Sequence, residues 1–396
     1  MSLQTVYRLT SRTGFDGLKS FREPVPSANK HEILVKVRSV ALNFRDIAIA
    51  TGTYPVPVKD HVVPCSDMAG EVVQVGDGVK NFAVGDLVIA PVSLDTLYGP
   101  VKDGADSLGG SEDGVLREYL PLQGNAAIKL PKSSHSLNEW AATVTAVYTV
   151  WNAFYGARPL KPGDVVLALG TGGVSIIAAI LAKAAGATTI ITSSSDNKLE
   201  QIKSKYGVDH IINYKTYPEW AKEVLKITNG QGVDHVIEVG GVGTIEQSIA
   251  SVAYGGTVSV IGFLASLTDD VMPNVTLQTL LKGATLRGVL GGSKQQLEEA
   301  VRFIAARNIP IPVDKTFPFT KEGIRSALEY IASGQHTGKP KTWGDFELIK
   351  LDIADLDFYV PLLHLWALFE TIGRHVMGNP LLEAINETGS GSLNTD

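Results

Sequence analysis

The sequence predicts an α/β protein in which a β-rich N-terminal domain precedes a doubly wound parallel sheet. Short strands and turns fill roughly the first 130 residues, which is typical of a small barrel or sandwich. From about Lys161, apolar strands alternate with helices, and this alternation indicates parallel βαβ units. With 44% hydrophobic and 19% charged residues, the 396-residue chain can bury a substantial core.

The strands of the first domain are predicted from their alternating pattern. Glu32–Val40 alternates apolar and polar residues, as a half-buried strand does. Glu71–Val75 and Asp86–Ala90 are predicted as further strands, separated by the turn-forming segment 76–78 (GDG) and by Gly85.

The second domain is predicted as a regular series of strands and helices. Asp164–Leu169 is a short apolar run without alternation, as expected of a strand buried on both faces. Further strands are expected at 188–192, 210–212, 233–239, 257–263 and 284–290, with helices at 174–185, 197–206, 217–228, 243–252, 294–307 and 320–333.

Composition excludes several classes of protein. Cys65 is the single cysteine, so neither an internal disulfide nor a four-cysteine zinc lobe can form. The net charge of -6 gives no global basic field for nucleic acid or an anionic membrane. Segment 1–15 lacks the apolar core of a secretory signal, and the apolar stretches 143–154 and 359–369 are shorter than the roughly 20 residues of a spanning helix. We therefore expect a soluble cytoplasmic protein that binds neither nucleic acid nor membrane.

The strongest signal of function is a glycine-rich turn, LGTGGVS (169–175), between a buried strand and a helix of small residues. Gly170 permits the tight turn, and Gly172 lets the backbone approach a pyrophosphate, which the helix N-terminus attracts. Ser175 departs from the pattern, which has Gly or Ala there. Within a βαβ array, the turn predicts a dinucleotide site rather than a purely structural connection. Its predicted binding residues are Gly170, Thr171, Gly172, Gly173 and Val174.

The end of the next strand indicates which dinucleotide is bound. An NAD site has Asp or Glu about 20 residues after the turn, on the ribose 2′-hydroxyl. Here the strand ends in the hydroxyl-rich segment 192–198 (TSSSDNK), in which Ser194 is a candidate ligand and Lys198 can neutralise a 2′-phosphate. Asp196 is the alternative acidic ligand, although we expect it to cap the following helix. Lys198 can also be an ordinary solvated helix residue, but the pattern favours NADP(H).

Short motifs along most of residues 6–339 occur together in a known family. They are 41–46 (ALNFRD), 52–55 (GTYP), 69–72 (AGEV), 84–87 (VGDL), 113–116 (DGVL), 170–174 (GTGGV), 212–214 (INY) and 255–256 (GG). In number, order and spacing they resemble the medium-chain dehydrogenase/reductase superfamily, in its zinc-free branch near the quinone oxidoreductases and enoyl reductases.

The resemblance implies the domain organisation. A GroES-like β-domain that contains the active site is expected at 1–128 and 292–343, and a Rossmann domain at 129–291. Residues 344–396 are an atypical C-terminal tail. The active site is expected in the cleft between the two domains, and the family implies a homodimer formed through the strand at 285–290.

The resemblance also allows zinc ligands to be checked. Zinc-dependent relatives carry a Cys-His pair where this chain has 43–44 (NF), Gly-His-Glu at 65–67 (CSD), and a third Cys at Thr145. Catalytic zinc needs three protein ligands, and none of these positions supplies the expected one. We therefore expect no metal. Cys65 is interpreted as a small buried hydrophobe, not a nucleophile.

Without a Lewis acid, developing negative charge must be stabilised by hydrogen bonding and proton donation. Hydride attack on an enone gives an enolate, which is easier to stabilise than the alkoxide of a ketone. Tyr54 matches the family tyrosine proposed as proton donor in enoyl reductases; the alternative is a loop aromatic without a chemical role. Asn43 matches the family asparagine near the nicotinamide, or it is structural. Arg45 and Asp46 are expected to form a polar pair at a helix start.

Further cofactor contacts follow from the resemblance. Thr149 is expected near the pyrophosphate, and Tyr214 is expected to stack near the 2′-phosphate unless it is only a strand-end aromatic. The segments that line the adenine and nicotinamide sides contribute Gly240, Gly262, Phe263, Leu290 and Gly291.

The C-terminal region departs from the family, which ends with a strand directly after the position of Lys339. Phe346–Leu351 (FELIKL) is one candidate for that strand after a detour. The helix-like segment 359–376 could pack on the body or on a partner subunit; a membrane-surface role is disfavoured because it lacks a Lys/Arg-rich face. A largely disordered tail is the remaining alternative.

The sequence therefore predicts an NADPH-dependent, zinc-independent reductase of an activated C=C bond or a quinone. The small-molecule substrate is expected to be a conjugated carbonyl or quinone. A carbonyl reductase or alcohol dehydrogenase of the same fold is the first alternative. A non-catalytic NADPH-binding protein is the second.

Overall fold

The computed structural model describes residues 2–102, 107–264, 273–333 and 347–351. Their secondary structure contains two kinds of sheet, one largely antiparallel and one parallel. The strands are β1 (Leu3–Leu9), β2 (Leu18–Pro24), β3 (Glu32–Leu42), β4 (Asp67–Val75), β5 (Leu87–Ile89), β6 (Tyr119–Gln123), β7 (Ile128–Lys129), β8 (Val165–Ala168), β9 (Thr188–Ser193), β10 (His210–Asn213), β11 (Val233–Glu238), β12 (Val252–Val260), β13 (Thr285–Gly288), β14 (Val313–Pro318) and β15 (Glu347–Leu351). The helices are α1 (Phe44–Ala50), α2 (Leu137–Tyr155), α3 (Gly173–Ala184), α4 (Asp196–Tyr206), α5 (Trp220–Ile227), α6 (Ile245–Ser251), α7 (Val275–Lys282), α8 (Lys294–Arg307) and α9 (Lys321–Ala332).

The β-rich part is organised around β3, the longest of these strands. β3 pairs antiparallel with β4 and β6, and β5 and β7 extend the sheet beyond β4. β1 and β2 form a separate antiparallel pair. The alternation of β3 places Ile33, Val35 and Val37 in a core in which all three are fully buried. This sheet confirms the predicted GroES-like β-domain.

The second part is a six-stranded parallel sheet in the order β10-β9-β8-β11-β12-β13. The order reverses next to β8, the first strand of the sheet in the chain, as in a doubly wound sheet. Apolar residues of α2, α3 and α8 form one core, and those of α5 and α6 contribute to another. The predicted α/β Rossmann sheet is therefore confirmed.

The predicted limits of one strand and one helix in this part were wrong. The strand expected at 257–263 begins at Val252, directly after α6, and ends at Val260, so Ile261–Phe263 lies beyond the sheet. The helix expected at 217–228 begins only at Trp220, after a turn closed by the hydrogen bond from Tyr217 N to Asn213 O. Boundaries shift because helix and strand ends depend on tertiary contacts rather than on periodicity alone.

The strand suggested at Phe346–Leu351 is confirmed over Glu347–Leu351. β15 pairs parallel with β3 and antiparallel with β14, so it joins the N-terminal sheet. The helix-like segment at 359–376 and the rest of the tail lie outside the described residues. In the described part of the chain, no helix is long and apolar enough to cross a membrane.

Candidate active site

A cavity of about 330 Å³ lies between α1 and its following loop on one side and the carboxyl ends of the parallel strands on the other. Its lining is largely apolar. It brings together many of the residues that the sequence nominated for catalysis or cofactor contact. Those that line it are Asn43, Tyr54, Thr149, Gly170, Gly172, Gly173, Val174, Gly262, Phe263, Leu290 and Gly291.

The glycine-rich turn has the backbone that its sequence predicts. Gly170 has φ 73°, a conformation that residues with a Cβ rarely adopt. Gly172 is the N-cap of α3, whose first turn contains no acidic residue. The turn is held by a hydrogen bond from Gly170 N to Thr192 Oγ1 at 3.1 Å. Ser175 donates to Leu169 O at 2.5 Å, so the departure from Gly or Ala closes the strand–helix turn with a hydroxyl.

Ser194, Lys198 and Tyr214 do not line the cavity itself but lie at or beside the ends of β9 and β10. Tyr214 N donates to Ser193 O at 3.0 Å, which joins the two strand ends. The prediction that Asp196 caps α4 was wrong, because Ser195 is the N-cap. Asp196 instead accepts a hydrogen bond from Asn213 Nδ2 at 2.9 Å. Its carboxylate is therefore already engaged in joining α4 to the end of β10.

Two other nominated residues, Thr171 and Gly240, also lie outside the cavity lining. Thr171 is buried in the glycine-rich turn. Gly240 N donates to Glu238 Oε1 at 2.7 Å, in the turn after β11. Glu238 is fully buried, and burial raises its pKa while hydrogen bonds from Ser248, Thr244 and that turn oppose the shift. Glu238, which the sequence analysis did not nominate, organises this turn.

The positions expected to bind zinc in relatives form a hydrogen-bond network around Asp67. Asp67 Oδ1 accepts from Ser66 Oγ at 2.7 Å and from Thr145 Oγ1 at 2.6 Å, and Oδ2 accepts from Thr145 N at 2.8 Å. Burial raises the pKa of Asp67, and these donors oppose the shift. Among the described residues, no group of three or more His, Cys, Asp or Glu side chains could hold a metal ion. Both carboxylate oxygens of Asp67 are thus engaged by protein donors at this corner.

Asn43 and Asp46 form the polar start of α1, where the sequence analysis had paired Arg45 with Asp46. The backbone nitrogen of Asn43, the N-cap, donates to Asp46 Oδ2 at 2.8 Å, so the side chain of the third helical residue accepts this bond, as in a capping box. Burial raises the pKa of Asp46 to about 7, against the opposing charge of Arg45. The Asn43 amide nitrogen lies near Asp67 but has no partner in hydrogen-bond geometry within the described part of the chain. This buried donor can serve a ligand in the cavity.

Arg45 connects α1 to two loops that shape the cavity. Its Nη1 donates to Leu108 O at 2.8 Å, and its Nη2 donates to Ser107 Oγ at 3.2 Å. Its Nε lies 3.4 Å from Tyr54 Oη, and the guanidinium carbon is 5.3 Å from the Tyr54 ring centroid. The guanidinium is thus a positive charge beside the phenol that the sequence analysis nominated as proton donor.

Tyr148 is a cavity residue that the sequence analysis missed. It lies on α2, three residues after Thr145 and directly before Thr149, and all three residues line the cavity. Only 5% of its surface is exposed. The signal was the 3.6-residue period of the helix, because a face that contains residues 145 and 149 also contains residue 148.

Cys65 is buried, as predicted, and has φ 67°. Burial raises its pKa well above the usual value of a thiol, which keeps it protonated. It occupies a left-handed position that glycine adopts most easily, which accounts for the glycine expected there from the resemblance.

Comparison with known proteins identifies the two parts of the chain. Residues 29–132 match the alcohol dehydrogenase GroES-like domain family, and residues 173–306 match the zinc-binding dehydrogenase family. A zinc-type alcohol dehydrogenase-like protein of Schizosaccharomyces pombe is 44% identical over 335 residues, 83% of this chain and 95% of that protein. The acryloyl-coenzyme A reductase of Metallosphaera sedula is 29% identical over 311 residues, 74% of this chain and 86% of that protein.

A solved structure shares the fold. The quinone oxidoreductase of Escherichia coli, complexed with NADPH, superimposes with a TM-score of 0.68 at 26% identity over 87% of this chain and 99% of that one. The family matches cover both the β-rich part and the parallel sheet, in the order in which the two cores occur. The chain belongs to the medium-chain dehydrogenase/reductase superfamily, whose members are oxidoreductases that bind a nicotinamide cofactor.

Proposed function

We propose that the protein is an NADPH-dependent, zinc-independent reductase of an activated C=C bond or a quinone. The observation that carries this proposal is the hydrogen-bond network of Asp67, Ser66 and Thr145. In a zinc-dependent relative this corner supplies metal ligands, whereas here Asp67 accepts three protein hydrogen bonds. One family description and the yeast relative's name refer to zinc, but the residues of this chain do not fit the ion.

The residues around the cavity fit a dinucleotide. Gly170, Gly172 and Gly173 would hold the pyrophosphate at the α3 N-terminus, where the helix dipole favours an anion. Ser194, directly after β9, and Lys198, in the first turn of α4, favour a 2′-phosphate, and Asp196 accepts a hydrogen bond from Asn213. Gly262, Phe263, Leu290 and Gly291 line the cavity and are proposed to contact the nicotinamide side, together with Asn43 and Thr149. The remaining nominated contacts are Thr171, Val174, Tyr214 and Gly240.

The cofactor, when bound, supplies a hydride to the substrate. The apolar lining excludes water from the reacting carbon atoms, and Arg45 provides positive charge near the substrate oxygen. Tyr54, held beside Arg45, donates a proton to the product or orders the water that does so. Asn43 contributes its buried amide as a hydrogen-bond donor.

Two relatives support this substrate class. The M. sedula relative is named for reduction of the conjugated acryloyl group, and the E. coli neighbour is named for quinones and contains NADPH. The name of the S. pombe relative supports the alternative of a carbonyl reductase or alcohol dehydrogenase. A non-catalytic NADPH-binding protein is the other alternative.

We also propose that the protein is a homodimer formed through β13, the edge strand of the parallel sheet. An exposed edge strand can pair with a second copy. Large apolar side chains are exposed beside it, and α7 contains no buried residue. These exposed residues are Tyr254, Leu277, Leu280, Leu281, Leu286 and Leu290.

A substrate panel tests the proposed activity. NADPH oxidation is followed with cyclohex-2-enone, 1,4-benzoquinone, saturated cyclohexanone and benzaldehyde, with NADH as the cofactor control. The expected result is turnover of the enone or quinone with a preference for NADPH. Fast turnover of the saturated ketone or aldehyde without turnover of a conjugated substrate would favour the carbonyl reductase. NADPH binding without any turnover would favour the binding protein.

A further inference from the structure

We propose that the hydroxyl of Tyr148 binds the carbonyl oxygen of the substrate and stabilises the negative charge that this oxygen gains during reduction. The inference rests on the proposed function, because it assigns the oxygen-binding group of the same cavity. It makes Tyr148, rather than Tyr54 alone, a phenol that contacts the substrate.

The first argument is the hydrogen bonding of the α2 face that lines the cavity. Thr145, Tyr148 and Thr149 all contribute to this lining. The Thr145 hydroxyl donates to Asp67 at 2.6 Å, and the Thr149 hydroxyl donates to Thr145 O at 2.6 Å. For the Tyr148 hydroxyl, the structure shows no hydrogen bond to any residue that it describes. Of the three hydroxyls, it is the one whose proton remains available to a ligand.

The second argument is that the ring is held in one place. A Cβ on Gly291 would lie 2.6 Å from Tyr148 Oη, and a Cβ on Gly292 would lie 3.2 Å from Tyr148 Cδ2. The tyrosine ring therefore packs directly on the backbone that follows β13, and both glycines make room for it. Because Gly291 also lines the cavity, the phenol lies where the α2 face meets the proposed nicotinamide side.

The third argument is electrostatic. Burial raises the pKa of Tyr148 and nearby Asp67 raises it further, while Arg45 lowers it. The phenol is therefore protonated at neutral pH and acts as a hydrogen-bond donor rather than as a base. Arg45 adds a positive charge close to the same hydroxyl, so negative charge on a substrate oxygen is favoured there.

The reaction step balances with this assignment. The β-carbon of the enone accepts a hydride, and its π electrons move onto the carbonyl oxygen to give an enolate. The Tyr148 hydroxyl donates a hydrogen bond to that oxygen and keeps its proton. The α-carbon then takes a proton from Tyr54 or water, so one NADPH and one proton yield the saturated ketone and NADP⁺.

The test compares Tyr148→Phe with Tyr155→Phe in the full-length protein. Tyr155 is a second tyrosine of α2, packed on Trp151 and Phe154 and absent from the cavity lining, so it is a matched control. We expect Tyr148→Phe to lower kcat by about 10²–10³-fold, as loss of one oxyanion donor does, while NADPH affinity is unchanged. Tyr155→Phe should retain the wild-type kcat. A wild-type kcat for Tyr148→Phe in an active enzyme would overturn the assignment.

The readout is chosen so that it does not depend on the proposed substrate class. If the wild type reduces a saturated carbonyl instead, kcat is compared on that substrate, because its oxygen also gains negative charge. If no substrate is turned over, ligand-observed NMR measures the binding of cyclohex-2-enone to the NADP⁺ complex. Weaker binding by Tyr148→Phe than by Tyr155→Phe supports the assignment, and equal binding overturns it. A loss of NADPH affinity in Tyr148→Phe also overturns it, since the phenol would then serve the cofactor.

Discussion

Thr145 on α2 donates two hydrogen bonds to the buried carboxylate of Asp67 on β4, from its backbone nitrogen and from its hydroxyl. The pair joins the N-terminal sheet to the long helix that packs beneath the parallel sheet. Thr145 also lines the cavity, so the contact connects the fold to the site. The relationship has consequences for stability and for metal binding.

Asp67→Asn should destabilise the protein. The amide group that replaces the carboxylate cannot accept hydrogen bonds at both of its polar atoms, so a donor among Ser66 and Thr145 loses its partner. Because the group is fully buried, we expect a loss of about 1–3 kcal/mol in the free energy of unfolding, measured by urea denaturation. Glu71→Gln, a partly exposed change on the same strand, is the control. If Asp67→Asn and the control had the same free energy of unfolding, the proposed contribution of this network to stability would be contradicted.

Asp46 should make stability fall as pH rises. Burial raises its pKa from the ordinary value of 3.8 to about 7, so between these pH values the native state binds a proton that the unfolded state has released. The slope of the unfolding free energy with pH is therefore negative in this window. Asp46→Asn should remove this contribution, which amounts to about 1.4 kcal/mol per pH unit at most. Urea unfolding at pH 5, 6 and 7 measures it, and parallel pH profiles of both proteins would refute it.

Cys65→Gly tests the left-handed backbone at the position where the family resemblance implies a glycine. Glycine adopts φ 67° without strain, whereas the buried side chain of Cys65 contributes packing, so the two effects oppose each other. Cys65→Ala keeps the strain and loses the sulfur. We therefore expect Cys65→Gly to be more stable than Cys65→Ala by about 1 kcal/mol in thermal or urea unfolding. The reverse order would show that strain at this residue is negligible.

Lys198→Glu tests the preference for NADPH. A carboxylate in the first turn of α4 repels a 2′-phosphate, so the KM for NADPH should rise about tenfold, equivalent to 1.4 kcal/mol. The KM for NADH should change much less. Lys203→Glu, in the last turn of the same helix, matches the change in charge and should have little effect. Equal KM changes for both cofactors would contradict the assignment of Lys198.

The sequence predicted the elements better than it predicted their side-chain contacts. The alternation of apolar residues in a strand and the succession of strands and helices are local properties of the sequence. The cores around β3 and β8 could therefore be predicted, as could the strand at Glu347–Leu351. The pairing of β15 with β3 joins residues about 300 positions apart in the chain, and no local pattern specifies such a partner.

The residues that line the cavity could be predicted only in part, again because distant parts of the chain meet there. Gly170 and Tyr54 are part of short motifs with a known chemical role. Tyr148, in contrast, belongs to a largely apolar helix whose sequence contains no such motif. Its proposed role depends on the fold, which places Arg45, Asp67 and Gly291 around it. Asp196 was assigned as a cap because Asp and Ser both cap helices well, and the contact with Asn213 decides between them.

The central claim is zinc-free, NADPH-dependent reduction of a conjugated carbonyl or quinone. The most direct test is the rate of NADPH oxidation with cyclohex-2-enone or 1,4-benzoquinone before and after exhaustive treatment with 1,10-phenanthroline. Because Asp67 accepts hydrogen bonds from Ser66 and Thr145 and is proposed not to bind a metal ion, we predict that chelation leaves the rate unchanged. Loss of the rate on chelation, with recovery on addition of Zn²⁺, would contradict the account.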